Sequence, residues 1–198
     1  MSGTRTAAAI VAGGRARRFG GQDKGRLIVH GRSIIVRQVE ILQRVASDLL
    51  VIAGDPARYT DLPVRVVRDR QPDLGAIGGI DTAVHAAPGT HVVVIACDMP
   101  FLTSDLLTHL LDLGRDRDGA WVRTDRGVEP LVACYATAAR DRIAAFIAAG
   151  GRRASALDTV LRMAELASPD LDRFGAPDRL LANVNTPDDY ARVQYDPA

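Results

Sequence analysis

Lysine is almost absent from this sequence: Lys24 is the only one among 25 basic residues. Glutamate is nearly as scarce, with Glu40, Glu129 and Glu165 set against a total of 24 acidic residues. Arginine and aspartate fill the other charged positions, as a GC-rich coding bias would produce at little energetic cost. Asparagine occurs only as Asn183 and Asn185, both inside the segment NVNTP. The two cysteines, Cys97 and Cys134, lie far apart and form no C-x-x-C. With four scattered histidines beside them, neither a disulfide framework nor a zinc site is expected. The formal net charge of +1 lacks the basic excess of a non-specific nucleic-acid binder. No apolar run approaches the roughly 20 residues of a membrane helix. The opening MSGTRTAAAI leads straight into a Gly-rich loop, which suits a first strand better than a signal peptide. What remains is an ordinary globular composition, 47% hydrophobic and 25% charged over 198 residues. The expectation is a cytoplasmic protein whose residues 1–198 form a single domain, with no nucleic-acid or membrane partner.

What is present alternates strand patterns with helical periodicity. AAAIVA (7–12), LLVIA (49–53), PVRVV (63–67) and HVVVIAC (91–97) read as buried strands. Helices are predicted after Ser33, over 79–87, after Thr103 with Leu106, Leu107, Leu110 and Leu111 on one face, and over the Ala-rich stretch 137–149. AWVRT (120–124) and PLVACYA (130–136) are further strands. A helix near 155–165, a strand at 180–184 and a last helix from Pro187 complete the reading. Strand–helix alternation of this kind specifies an α/β fold, a Rossmann-like, mostly parallel sheet with helices on both faces. Ligands bind such sheets beyond the carboxyl ends of the strands. Gly13, Asp69 and Asp98 all fall there.

The loop VAGGRARRFGGQDKG (11–25) combines five glycines with Arg15, Arg17, Arg18 and Lys24. Closely spaced glycines let backbone N–H groups approach an anion, and several cations can neutralise a polyphosphate. It is not a Walker A loop, because Lys24 stands between Asp23 and Gly25, and it is not G-x-G-x-x-G. A lysine kept against the compositional drift marks a place where a compact ammonium is wanted. Asp98 ends the most apolar strand, where a hard cation shared with phosphates could be held; a helix cap is the plainer alternative. Asp69 carries the same choice. GAIGGI (75–80) sets Gly75, Gly78 and Gly79 where a purine or ribose could lie against the backbone, or where a helix simply starts. Cys97 reads as core, with no histidine placed to activate it.

These residues resemble a known family, the molybdenum cofactor guanylyltransferases of the nucleotidyltransferase superfamily. The resemblance covers roughly residues 7–194. It rests on AGGRARRFGGQDKG (12–25), VVRD (66–69), GAIGGI, CDMPFL (97–102), EPLVACY (129–135), GGRRASALD (150–158) and NVNTPDD (183–189). It implies transfer of GMP from GTP to the terminal phosphate of molybdopterin, with Mg²⁺ as cofactor. Matched residue by residue, it places Val11, Ala12, Gly13 and Gly14 beside the guanine and ribose. It places Arg18 and Lys24 on the triphosphate, Asp98 on the metal, and Asp69, Gly78 and Gly79 on the nucleotide. Arg18, Lys24 and Asp98 would be catalytic, and Asn183 and Asn185 would complete the second-substrate side. Molybdopterin-insertion proteins or molybdoenzymes are implied as transient partners. The sequence departs from the family's usual pattern at Val11, Phe19 and Gly75–Gly79, and Ala53 or Gly54 stands where some members have a nucleotide-contacting Asn. A sister enzyme using CTP, a sugar-phosphate nucleotidyltransferase, and a non-catalytic carrier of nucleotide or cofactor remain the competing readings.

Overall fold

The computed structural model describes residues 5–12 and 23–195. Its centre is a seven-stranded sheet built on β1 (Thr6–Ala12), β4 (Asp48–Ala53), β5 (Arg65–Arg68), β6 (His91–Ala96), β7 (Gly119–Thr124), β8 (Gly127–Ala136) and β9 (Met163–Ala167). The spatial order is β5-β4-β1-β6-β8-β7-β9, and a small hairpin, β2 (Ile28–Val29) with β3 (Arg32–Ser33), stands apart. Strands β5, β4, β1 and β6 run parallel; β8 alone is antiparallel to its neighbours β6 and β7. From β1 the chain moves outward to β4 and β5, then returns to place β6 on the other side of β1. That reversal puts a switch point between β1 and β6, where the connections diverge and leave a crevice.

Period-two burial explains why β1 can be central. Ala7, Ala9 and Val11 face one core with Ile77, Ile80 and Val84 of helix α2 (Ala76–Ala86). Ala8 and Ile10 face the other, with Ile35 and Leu42 of α1 (Ile34–Leu42) and Leu106 and Leu110 of α3 (Ser104–Gly114). Small residues on the middle strand let helices close over both faces. A third, smaller core joins Leu27, Val29, Ile34 and Phe101 to Val184 and to Val193 of α6 (Pro187–Tyr195). The remaining helices are α4 (Arg140–Ala148) and the single turn α5 (Pro177–Leu180). Among the described residues no helix is long and apolar enough to cross a membrane.

Three expectations are corrected. The helix predicted near 155–165 is a 3-10 segment, Ala154–Thr159, followed by β9. Met163, Ala164, Glu165 and Leu166 favour helix locally. Pairing with β7 overrides that preference and buries Ala164 and Leu166 alternately. The strand predicted at 180–184 is not formed; α5 ends at Leu180, and Val184 N–H donates to the Asp98 carbonyl at 2.9 Å. Helix α2 begins at Ala76 instead of 79, so Gly78 and Gly79 lie inside it. Thr103 caps α3 through Leu106 N–H, whereas Ser33 stands at the start of α1 without a capping bond.

Candidate functional site

The carboxyl ends of β1 and β6 open on a cavity of about 310 Å³ lined by Val11, Ala12, Lys24, Asp98, Asn183 and Asn185 among others. Beside it lies a larger groove of about 1140 Å³, and Glu129 and Asn183 line both. Gly13, Gly14 and Arg18 lie outside the described residues.

At the centre the ammonium of Lys24 donates to Asp98 Oδ2 at 3.1 Å and to Asn185 Oδ1 at 2.6 Å. Each partner is fixed by its own local structure. Lys24 opens a 3-10 turn, Lys24–Arg26, capped by Asp23, whose Oδ1 accepts from Gly25 N–H at 3.0 Å. Asp23 Oδ2 accepts in turn from the Tyr59 hydroxyl at 2.5 Å. Tyr59 is buried, and that burial, with the bond to Asp23, keeps its hydroxyl protonated well above the usual phenol range.

Asp98 follows β6 in a turn held from several sides. Cys97 N–H donates to the Val11 carbonyl at 3.2 Å. The buried amide of Gln38 on α1 donates to the carbonyls of Ala96 at 2.6 Å and Met99 at 3.0 Å, straddling Asp98. Asn185 is held by a capping box at the start of α6. Asp189 Oδ2 accepts from the N–H groups of Asn185 and Thr186, and Thr186 Oγ1 accepts from Asp189 N–H. Pro187 at the first helical position fits this cap. Burial raises the Cys97 thiol far above its usual range, which leaves it neutral and unsuited to nucleophilic attack.

Three expected nucleotide contacts are not among the residues lining this cavity. Asp69 is buried, and its Oδ1 accepts from Gln71 N–H at 2.9 Å and Thr82 Oγ1 at 3.0 Å, tying the loop after β5 to α2. A Cβ on Gly78 would sit 2.3 Å from the Gln71 carbonyl oxygen, and one on Gly79 would sit 2.5 Å from Val11 Cγ1. Those glycines permit close packing of α2 on β1 and its neighbouring loop. Ala76, the first residue of α2, reaches the cavity wall in their place.

Sequence reasoning assigned no role to Asp23, Arg58, Tyr59 or Glu129, which also line the cavity. Nothing local marks Arg58 and Tyr59. Glu129 carried a signal: it is one of three glutamates in an aspartate-rich chain, the same scarcity that singled out Lys24. The other two are spent on surface pairs, Glu40 with Arg32 and Glu165 with Arg123. Burial pushes the Glu129 carboxyl above its ordinary value, against a smaller opposing pull from Arg126.

Among the described residues no group of three or more His, Cys, Asp or Glu is arranged to hold a metal. A hard ion shared with a polyphosphate needs no such cage; one or two carboxylates suffice, with phosphate oxygens and water as the other ligands. Asp98 fits an ion of that kind arriving with a nucleotide.

Comparison with known proteins gives this geometry a lineage. Residues 8–165 match the MobA-like NTP transferase domain. The chain belongs to the MobA-like NTP transferase family. It is a nucleotidyltransferase, and relatives across its length share one name. It is 36% identical to a probable molybdenum cofactor guanylyltransferase of Chloroflexus aggregans, covering 93% of this chain and 91% of that protein. It is 33% identical to a molybdenum cofactor guanylyltransferase of Cereibacter sphaeroides, with 93% of each chain covered. Among solved structures, the molybdopterin-guanine dinucleotide biosynthesis protein A of Archaeoglobus fulgidus superposes with a TM-score of 0.81 at 27% identity, over 95% of this chain and 96% of that one. The MobA-like family thus accounts for the mostly parallel sheet and for the position of the crevice at its switch point.

Proposed function

We propose that this chain transfers GMP from GTP to the terminal phosphate of molybdopterin, releasing pyrophosphate. The observation that carries this reading is the meeting of Lys24, Asp98 and Asn185 beside a second, larger groove. A cation and a strand-end carboxylate suit a nucleotide polyphosphate, and the adjoining groove has room for a separate acceptor. An oxygen of the acceptor phosphate attacks the α-phosphorus; the bond from that phosphorus to the bridging oxygen breaks, and pyrophosphate leaves with the electron pair. Because the attacking phosphate is already anionic, no proton need be removed, and positioning with charge neutralisation supplies the rate. Lys24 holds phosphate oxygens, and Asn185 keeps its ammonium directed. Asn183, on the wall between the two cavities, faces the acceptor side. Magnesium, when bound, would be held by Asp98 and would neutralise charge between phosphate oxygens. The two buried free cysteines accord with action in the cytoplasm, where molybdopterin-insertion proteins or molybdoenzymes would receive the product. Incubation with each nucleoside triphosphate, Mg²⁺ and molybdopterin, followed by mass analysis, tests the reading. The guanine dinucleotide is expected; a cytosine dinucleotide would move the chain to the CTP-dependent activity.

A further inference from the structure

Arg58 reaches the cavity from an element that no phosphate-binding motif marks. It lies in the 3-10 turn Pro56–Tyr59, capped where Asp55 Oδ1 accepts from Ala57 N–H at 3.2 Å. The next residue, Tyr59, is buried and bonded to Asp23. Arg26, paired with Asp61 and lying 5.2 Å from the centre of the Tyr59 ring, donates to the Arg58 carbonyl at 2.7 Å. The backbone of Arg58 is therefore held on both sides, while its side chain stays 49% exposed at the cavity. Its nearest acid is Asp23, with Arg58 Nε 3.9 Å from Oδ2, beyond hydrogen-bond reach. Both Asp23 oxygens already accept, from Gly25 N–H and from the Tyr59 hydroxyl. The Arg58 side chain makes no hydrogen bond to any described residue, so a forked set of donors is held ready at the cavity wall.

Its place on that wall selects what it would bind. The acceptor groove joins the cavity at Glu129 and Asn183, whereas Asp23, Arg58 and Tyr59 line the cavity alone. In an in-line displacement the attacking and leaving oxygens sit on opposite sides of the phosphorus. An acceptor entering past Glu129 and Asn183 leaves the walls that the groove does not share, Arg58's among them, for the departing phosphates. Lys24 shares its charge with Asp98, so a triphosphate bound here calls for further cations. Resting on the proposed function, we infer that Arg58 binds the two nucleotide phosphates that depart as pyrophosphate, as a further cation supplied by an element outside the Gly-rich loop. When the α-phosphorus parts from its bridging oxygen, the electron pair stays with pyrophosphate, and Arg58 stabilises the charge that grows there.

Calorimetric titration of wild type, Arg58→Ala and Arg58→Lys with GTP, GMP and pyrophosphate, each with Mg²⁺, tests this. Arg58→Ala should lose about tenfold or more in affinity for GTP and pyrophosphate, the worth of a hydrogen bond to a charged group. Its affinity for GMP and its unliganded Tm should match wild type, and Arg58→Lys should recover part of the loss. Unchanged GTP affinity in Arg58→Ala overturns the inference, as does a parallel loss for GMP. A wild-type chain that binds none of the three overturns the proposed function with it.

Discussion

Two aspartates end parallel strands at the same edge of the sheet, and the structure treats them in opposite ways. Asp98, after β6, meets Lys24 at the cavity lip. Asp69, after β5, turns inward to Gln71 N–H and Thr82 Oγ1. The sheet order explains the difference. β6 borders the switch point, whereas β5 is the edge strand, and the loop that follows it is tied to α2 through Thr82. A strand end is thus a place where chemistry can occur. The course of the next connection decides whether a carboxylate there stays at the cavity or is taken up by a loop.

Replacing each carboxylate separates the two roles. Asp98→Asn should lower kcat by about 10²–10³-fold, the scale for losing one preorganised charge at a reacting centre. Its thermal midpoint should stay near wild type, because among the described residues the Asp98 carboxylate bonds only the Lys24 ammonium and caps no backbone group. Near-normal turnover at saturating Mg²⁺ would remove Asp98 from the chemistry. Lys24→Arg comes next. A planar guanidinium in a place shaped for an ammonium should displace the phosphates, and a misplacement of about 1 Å can cost roughly 10²-fold in rate. Steady-state kinetics should show the loss in kcat more than in nucleotide affinity; wild-type behaviour would reduce Lys24 to a leftover surface residue.

Asp69→Ala should show the reverse pattern. Leaving Gln71 N–H and the Thr82 hydroxyl without their partner costs about 1–3 kcal/mol, visible as a fall of several degrees in Tm. Its residual kcat at low temperature should exceed that of Asp98→Asn, and the comparison breaks if it does not. Glu129→Gln should have the smallest effect. A carboxyl raised by burial favours the fold while protonated, and that contribution is lost as pH rises through the raised value. The variant should therefore melt slightly above wild type at pH 7–8, with the gap closing as the pH falls toward the ordinary carboxylate value of about 4.3. A variant less stable than wild type at neutral pH would show that the carboxylate holds a structural contact.

The sheet was legible because each buried strand carries its own evidence. HVVVIA must be covered on both faces wherever it lies, and Val92 to Ile95 are indeed fully buried. Lys24 and Asn185 stood out through scarcity alone, before any contact between them was visible. Where sequence reasoning failed, pairing outweighed local preference. MAELA became a strand because β7 offered it an edge, and Gly78 and Gly79 lie inside α2, packed close to Gln71 and Val11. The contact between Lys24 and Asn185, 161 positions apart, was beyond any local pattern. It depends on the third core, where Leu27 and Val184 are buried with Phe101 and Val193. Leu27, Val29, Phe101 and Val184 reach this core from a two-residue strand, turns and loops, which carry no periodicity to read. The sequence by itself therefore determined the α/β sheet and which rare residues were worth attention, since both are properties of single segments. Only tertiary structure decided that Lys24, Asp98 and Asn185 share one cavity while Asp69 stays outside it. Those distances depend on packing between segments that are remote in the chain.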